Sequence, residues 1–426
     1  MSEKGTSITA LLVVAALIAS CASAATPTPV PPTPTEPGPP AVGDTWTKTY
    51  GGSRNTVAGD VLLADDGGYL IVGTTNLEFE PRQQGDIYLV RTDAAGEIIW
   101  ERTYGGQGFE GGQAGTWAGD GNLLVVGVID TGDANGIDAY LLKVDADGNE
   151  LWSKTYGGPL DEYTGAIGQT PDGAYILGGN IVDPDDIIAD PGAAGYGGFE
   201  GRSNPCLFKV DADGNEIWSR AYESEQNILA SGGVLTPDGD YLLLATITHF
   251  PDPDDDILLT RLDGNGDEVW SRTWTEDKCN PYDLVQTTDG NYLITASYAP
   301  AGPGDAKEDF LFIKIDPGGN EIWRRTFGNP DMIDYGVVLT RAAGGGYVAA
   351  GEQTPDHYTR EADIKWVKID EDGTLVWERA RKASHTMFSA ILPHPDGGFV
   401  IAGGMPRGSM FNIVLIKTDH QGQVAE

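Results

Sequence analysis

Positive charge is what this sequence has least of. Its 27 Lys and Arg stand against 64 Asp and Glu, a formal net charge of -37, and the isoelectric point is near 4.2. Such a chain repels nucleic-acid phosphates and anionic lipid surfaces within a Debye length, which excludes binding to either through basic contacts. The acidity fits a solvated, non-aggregating exterior, a salt-rich habitat or a cation-binding surface. Histidine is scarce as well. The five residues His249, His357, His385, His394 and His420 form no H-x-H or H-E-x-x-H spacing, and no Ser, Cys or carboxylate pair has a recognisable activating neighbour. No catalytic constellation is therefore visible. Of the three cysteines, Cys206 falls in a core strand and Cys279 in a connection of a different repeat, so a disulfide between them is geometrically doubtful and both read as free thiols.

What the chain has in abundance is repetition. The stretch Asp138 to Trp152, D-A-Y-L-L-K-V-D-A-D-G-N-E-L-W, returns at a near-constant period. Ala139 to Val144 is rich in aliphatic and aromatic residues, Asp145 to Asn149 has the Asp, Gly and Asn chemistry of a tight turn, and Glu150 to Tyr156 resumes as a strand. The Asp opening the turn recurs at Asp93, Asp145, Asp211, Asp263, Asp316, Asp370 and Asp419, with a Gly three residues on. A Trp stands seven residues after each of the first six, at Trp100, Trp152, Trp218, Trp270, Trp323 and Trp377, whereas seven after Asp419 the chain ends. The seventh Trp is Trp46, at the other end.

From about Asp44 each period carries four strand signals, giving seven units. Their apolar strand is regular: G-Y-L-I-V-G at 68 to 73, N-L-L-V-V-G at 122 to 127, N-Y-L-I-T-A at 291 to 296 and G-F-V-I-A-G at 398 to 403. Continuous apolarity means that both faces are covered, as in radially packed four-stranded sheets, and the Gly and Ala content of the first strand suits a crowded axis. No internal linker divides the 426 residues, so a single repeat architecture is expected. The expected fold is all-β: a seven-bladed β-propeller of four-stranded antiparallel blades, closed by the N-terminal strand around Trp46 pairing into the last blade beside Asn412 to Asp419. An unclosed ring would leave two edges of unpaired backbone groups. Residues 44–426 form this domain.

The preceding residues read as targeting. Residues 1–20 hold an apolar run, Ile8 to Ile18, too short to span a bilayer, and are taken as an export signal. Ile18-Ala19-Ser20-Cys21 resembles the lipobox of prokaryotic lipoproteins, which implies that Cys21 is lipidated. Ala22-Ser23-Ala24 offers the alternative, cleavage and release as a secreted protein. The segment 21–43 includes T-P-T-P-V-P-P-T-P-T-E-P-G-P-P, a stiff polyproline-like spacer between anchor and domain.

The combination W-x-K-T-Y-G-G, T-x-D-G-G-Y and D-x-x-L-x-K-x-D-x-x-G-x-x-x-W resembles the secreted, often lipid-anchored β-propeller repeat proteins of bacteria and archaea. The D-x-x-G-x-x-x-W element is also similar to the tryptophan-docking motif of quinoprotein-type propellers. Those enzymes commonly space Asp and Trp one residue further apart and usually have eight blades, so their cofactor is not carried over.

Candidate contacts sit in the loops. The insertion from Asp183 to Asn204 carries Asp183, Asp185, Asp186 and Asp190, and belongs to the same loop position as Asp252, Asp254 and Asp255 of the next unit. Clustered carboxylates repel unless screened, so calcium is the one cofactor these residues suggest. The D-A-D-G-N-E turns at 145–150 and 211–216 are read as structural, because a returning strand leaves no room for a full calcium loop. Tyr196 and Phe199 in the insertion, with Phe109, Tyr163, Tyr282, Tyr335 and Phe388 before the first strands, form a candidate contact surface near one channel mouth, alternatively inter-blade packing. The Lys or Arg two residues before each turn Asp, such as Lys143, is expected to lie opposite the Trp and cover its ring. The expected function is that of a monomeric, cell-surface, non-enzymatic propeller that binds a protein or glycan through its loop face. The alternative is an exported propeller enzyme, a cation-dependent hydrolase or lyase or a quinoprotein-like oxidoreductase.

Overall fold

The computed structural model describes residues 45–78, 84–106, 108–130, 136–187, 201–249, 255–275, 278–299, 307–355, 362–382, 387–408 and 410–424. The expected export signal and spacer, Cys21, Asp190, Tyr196, Phe199, Asp252 and Asp254 lie outside them. The regular structure consists of strands, and among the described residues no helix is long and apolar enough to cross a membrane.

Each unit is organised by its hairpin. In unit two the Asp145 N–H donates to Asn149 O at 2.9 Å and the Gly148 N–H to Asp145 O at 3.0 Å. The Asp145 carboxylate accepts the N–H of Asp147 at 3.0 Å and of Asn149 at 2.8 Å. Gly148 has φ 77°, a left-handed conformation that glycine adopts without steric cost. The carboxylate is thus engaged by its own turn, which accounts for the D-x-x-G spacing.

The glycine has a second cause, in the preceding unit. A Cβ on Gly148 would come 3.0 Å from the Trp100 ring, and one on Gly214 would come 2.7 Å from Trp152. The same approach joins Trp218 to Gly266, Trp270 to Gly319, Trp323 to Gly373, Trp377 to Gly422 and Trp46 to Gly96. Every repeat Trp therefore lies flush on the turn of the following unit, a contact that any side chain at the glycine would block. Tyrosine hydroxyls reinforce it: Tyr50 donates to Gly96 O at 2.9 Å, Tyr156 to Gly214 O at 2.6 Å and Tyr222 to Gly266 O at 3.0 Å. In unit six Arg381 occupies the tyrosine place, and the indole N–H of Trp366 donates to Gly422 O instead, at 2.9 Å.

Five four-stranded antiparallel sheets stand apart, in sequential order within units three to six. In the fifth, Trp46–Tyr50 pairs with Met410–Lys417, followed by Phe399–Arg407 and Met387–Pro393. Trp46 stands opposite Lys417 in this register, as the repeat count requires. The expectation of seven separate blades is corrected for units one and two, whose eight strands form one sheet. A single parallel bridge, Gly85 to Phe109, joins them. Gly85 permits it, because a Cβ there would already sit 3.0 Å from the Phe109 ring and the Thr74 methyl. The second strands are buried on both faces, as Leu123 to Val128 shows, which places the core between sheets.

The cation opposite each Trp falls in the expected register, for example Lys143 opposite Trp152 and Lys209 opposite Trp218, but its charge goes elsewhere. It pairs with the Asp of the turn between first and second strands: Arg91 with Asp66 at 2.6 Å, Lys143 with Asp120 at 2.7 Å, Lys209 with Asp172 at 3.0 Å, Arg261 with Asp238 at 2.6 Å and Lys314 with Asp289 at 2.8 Å, and Lys417 with Asp396. The indole is covered mainly from its own strand, two residues on, where alternation returns the side chain to the same face. Arg220 lies 5.6 Å from the Trp218 ring, Arg272 5.3 Å from Trp270 and Arg379 5.5 Å from Trp377. Trp152 carries both, with Lys154 at 5.5 Å and Lys143 at 5.9 Å.

Unit six lacks the turn Asp. Gly344 occupies its place, with nothing within 4 Å of where a Cβ would point and no positive φ, and burial lowers the pKa of Lys368. Gly344→Asp should restore the ion pair and remove backbone freedom from the unfolded chain, stabilising the protein by about 1 kcal/mol. Thermal unfolding of Gly344→Asp, alone and with Lys368→Met, checks this: the midpoint should rise, and the rise should shrink when Lys368 is removed.

Candidate functional site

The first strand of every unit is interrupted at one point. The register to the second strand shifts between Ala58 and Asp60, Gly112 and Ala114, Thr164 and Ala166, Ala230 and Gly232, Pro281 and Asp283, Gly336 and Val338, and Phe388 and Ala390. The extra residue is Gly59, Gln113, Gly165, Ser231, Tyr282, Val337 or Ser389. A bulge re-aims the side chain it carries and increases local twist. Only unit five places an aromatic ring there. Beside two of the bulges a carboxylate ties one unit to the next: Asp60 Oδ2 accepts the Gly115 N–H at 3.1 Å, and Asp283 Oδ2 accepts the Leu339 N–H at 2.7 Å.

Beyond the bulge, towards the connections between units, carboxylates gather in pairs. Asp138, at the start of a third strand, and Glu162, in the next unit's first strand, both lie over Gly157, where a Cβ would come 2.1 Å from Asp138 Oδ1 and 2.6 Å from Glu162 Oε2. Burial, then the charges of Asp138 and Asp161, push the Glu162 carboxyl up to about 7. Asp86 and Glu110 repeat the arrangement one unit earlier, and burial and then Asp86 raise Glu110. Glu110 Oε2 is buried with no hydrogen-bond partner among the described residues. Asp309 and Asp334 form a third pair, which differs by having an internal cation. Lys365 Nζ donates to Asp334 Oδ2 at 3.0 Å, Gln353 Nε2 to Asp334 Oδ1 at 2.6 Å, and the ammonium sits 5.6 Å from the Phe310 ring. Tyr140 and Cys206 hold the place of Lys365 in units two and three. Neither is a cation, and burial, with the charge of Glu162, raises the Cys206 thiol.

Unit six also departs from the repeat in its second strand. Two residues before the bulge, the partner on the second strand is Thr74, Val128, Asn180, Thr246, Ser297, Glu352 or Gly404. In unit three Asn180 uses the position to bridge to the next unit, accepting the Ala230 N–H at 2.8 Å and donating to Ala230 O at 3.4 Å. Glu352 has the same register, opposite Tyr335, and burial pushes its carboxyl up to about 7. Tyr282 points its hydroxyl to Ser297 Oγ, 3.4 Å away. Burial, then the charge of Glu308, with smaller contributions from Tyr335 and Glu352, raise the Tyr282 phenol. Tyr282, Tyr335 and Glu352 are each half-buried. The arrangement can stack, accept hydrogen bonds and hold a proton near neutrality.

The sequence-derived candidates are placed unequally. Phe109 and Tyr163 are 3% and 8% exposed and pack in one apolar cluster with Val57 and Val128, while Phe388 packs in another. These three are taken up by apolar packing, and they stand four, two and one residues before their bulges, so they do not form one ring. Tyr282 and Tyr335 are brought together. Asp183, Asp185 and Asp186 lie in the strand Tyr175–Ile187, with Asp183 opposite Arg202, and Asp255 is buried before the strand Asp256–Leu262. Among the described residues no three His, Cys, Asp or Glu converge as a metal site. Cys206 and Cys279 are both buried and lie in different units, and Cys279 belongs to the strand Lys278–Gln286 rather than to a connection.

No family model matches the chain. The regulatory protein FlaEY of Caulobacter vibrioides is 24% identical over 332 residues, which cover 71% of this chain and 33% of that protein, so the chain spans about a third of its relative's length. A polysaccharide lyase, an ulvan lyase solved bound to -[GlcA(1-4)Rha3S]-, superposes with a TM-score of 0.54 at 10% identity over 88% of this chain and 97% of that one. Sqt1 from Chaetomium thermophilum gives 0.48 at 12% identity over 91% and 87%. The lyase likeness bears on the fold alone and agrees with the sheets: the chain is an all-β propeller of four-stranded antiparallel blades.

The Asp138–Glu162 pair sets a pH dependence. Glu162 has a folded pKa near 7 against an ordinary 4.5, so the native state holds a proton that the unfolded chain releases, and stability falls as pH rises from about 4.5 through 7. Glu162→Gln keeps the shape without the charge. It should match the wild type at pH 5 and exceed it at pH 8 by on the order of 1–2 kcal/mol, read by denaturant unfolding at both pH values. Equal stability at pH 8 would contradict a raised Glu162 carboxyl.

Proposed function

We propose that this chain is an exported propeller, tethered to the cell surface through a lipidated Cys21 and the spacer 21–43, which binds a protein or glycan through its loop face without catalysis. The eight-stranded sheet acts as two blades in a seven-part ring, which the strand Trp46–Tyr50 closes. Two contacts support the ring: Trp46 rests on Gly96 as every other repeat Trp rests on the next turn, and the first strand of unit one packs beside that of unit seven.

The observation that carries the binding reading is where the repeat breaks. The hairpin end is nearly the same in every unit: the turn, the Trp and the covering cation recur. Apart from Gly344 and Arg381 at the hairpin end of unit six, departures gather at the other end, on units five and six, in Tyr282 at the bulge, Glu352 in the second strand and the Lys365–Asp334 pair. In a chain of near-interchangeable units, chemistry resides where a unit departs from the pattern. A second reading, acid–base catalysis at the same place, is favoured by one observation, the Glu352 carboxyl pushed up to about 7 by burial opposite Tyr335.

Two measurements test this reading. Fractionation of cells carrying Cys21→Ser should find the protein moved from the membrane to the medium; unchanged membrane association would rule out the lipid anchor. A glycan array and an exoprotein binding screen with the mature chain should give ligands whose binding falls at least tenfold in Tyr282→Ala with Tyr335→Ala and persists in Leu151→Asp at the hairpin end. The reverse pattern would put the binding face on the wrong end. Turnover of a bound polysaccharide that Glu352→Gln abolishes would favour the catalytic reading.

A further inference from the structure

Resting on the reading that the loop end is the binding face, we propose that Glu352, Tyr282 and Tyr335 form a site for an ammonium-bearing ligand, with amino sugars as the ligand class.

The argument starts from what the other units do with the same position. Thr74, Val128, Thr246 and Ser297 fill it with small buried side chains, and Asn180 satisfies both ends of its amide on Ala230. A glutamate in this place keeps partial access to solvent and brings an ionisable carboxyl where the fold needs none. The internal cation that the described residues place in this part of the unit is already committed. Lys365 is 4% exposed and pairs with Asp334, on the face of its sheet that also carries Gln353, whereas Glu352 and Tyr335, one residue along each strand, point to the opposite face. Among the described residues no cation is matched to Glu352, and its carboxylate is available to a ligand.

The surroundings select what that is. Tyr335 stands directly opposite Glu352 across the strand pair. Tyr282 is carried by the bulge of the neighbouring unit, and its hydroxyl meets Ser297, the counterpart of Glu352 in that unit. A carboxylate with one phenol opposite it and a second on the adjoining unit can hold a cation by ring quadrupole and by charge-assisted hydrogen bonds together. Glu308 and the net charge of -37 repel uronic acids and sulfated sugars. A neutral sugar could stack but would leave the carboxylate without a counter-charge. A sugar bearing a primary amine matches the aromatic, carboxylate and charge features at once.

Calorimetric titration of the full mature chain with D-glucosamine, N-acetyl-D-glucosamine and D-glucuronate tests the site. Glucosamine should bind, with affinity that weakens as salt is raised; the other two should bind at least tenfold more weakly. Glu352→Gln and Tyr282→Ala should each lower glucosamine affinity at least tenfold, and Tyr282→Phe, which keeps the ring, should lose less than threefold; circular dichroism melts of the variants confirm folding. Equal binding of glucosamine and its N-acetyl form, or unchanged affinity in Glu352→Gln, would overturn the proposal. A partner that binds the loop end and is not displaced by glucosamine would overturn the ligand assignment while leaving the binding face in place. Absence of any ligand for that end would remove both.

Discussion

The structure depends on one contact made again and again: an indole laid flat on the left-handed glycine of the next unit's turn. It joins three constraints at a single point. The Asp of D-x-x-G closes the turn by accepting backbone N–H groups, the glycine supplies the positive φ, and the missing Cβ lets Trp152 approach Gly214 to contact distance. A hydroxyl such as that of Tyr156 then fixes the turn carbonyl. Because the contact runs from each unit to the following one, stability in this chain is largely a sum over neighbouring pairs, as in other repeat architectures. The ion pairs at the same end, such as Lys209 with Asp172, are half exposed and add modestly to it.

That arrangement divides the molecule into two ends with different freedoms. At the hairpin end, turn, Trp and cation constrain one another, so a change in any one of them is felt across two units. At the opposite end the connections carry no such mutual requirement. Carboxylates there cap Gly157 and its equivalents, and whether a cation joins them varies from Lys365 to Tyr140 to Cys206 without altering the strand order. Residues such as Tyr282 and Glu352 can therefore appear in single units without disturbing the blade that bears them. Glu110, Glu162, Asp309 and Glu352 at this end have pKa values raised by burial, which is common at sites that bind or react and also at structural pairs.

How much of this was legible in the sequence follows from how local each feature is. The hairpin was readable because Asp145, Gly148 and Trp152 lie within eight residues and recur, and the partner of Trp46 was readable by counting to Lys417. The merging of units one and two was not, since it turns on the chance approach of Gly85 to Phe109. The bulges were hidden for a similar reason: a bulge is a property of two strands in register. Counting aromatic residues along the chain grouped Phe109 and Tyr163, which are buried, with Tyr282 and Tyr335, which are half-buried; Tyr163 and Tyr335 precede their bulges alike by two residues, so packing and not register separates them. Both Lys143 and Lys154 fall near Trp152, and the sequence did not show that Asp120 would claim the first of them. Glu352 went unnoticed because it follows an apolar strand and reads as ordinary surface charge; aligning the seven second strands on their registers isolates it.

The central claim, that the last unit meets the first through the same contact that joins all the others, is tested most directly by comparing Trp46→Ala with Trp152→Ala in thermal unfolding of the full chain. Both indoles are half-buried on a turn glycine, Gly96 and Gly214, so both variants should lose about 3 kcal/mol, within 1 kcal/mol of each other. A Trp46→Ala variant that melts with the wild type while Trp152→Ala is destabilised would show that the N-terminal strand is dispensable and that the chain does not close on itself in this way.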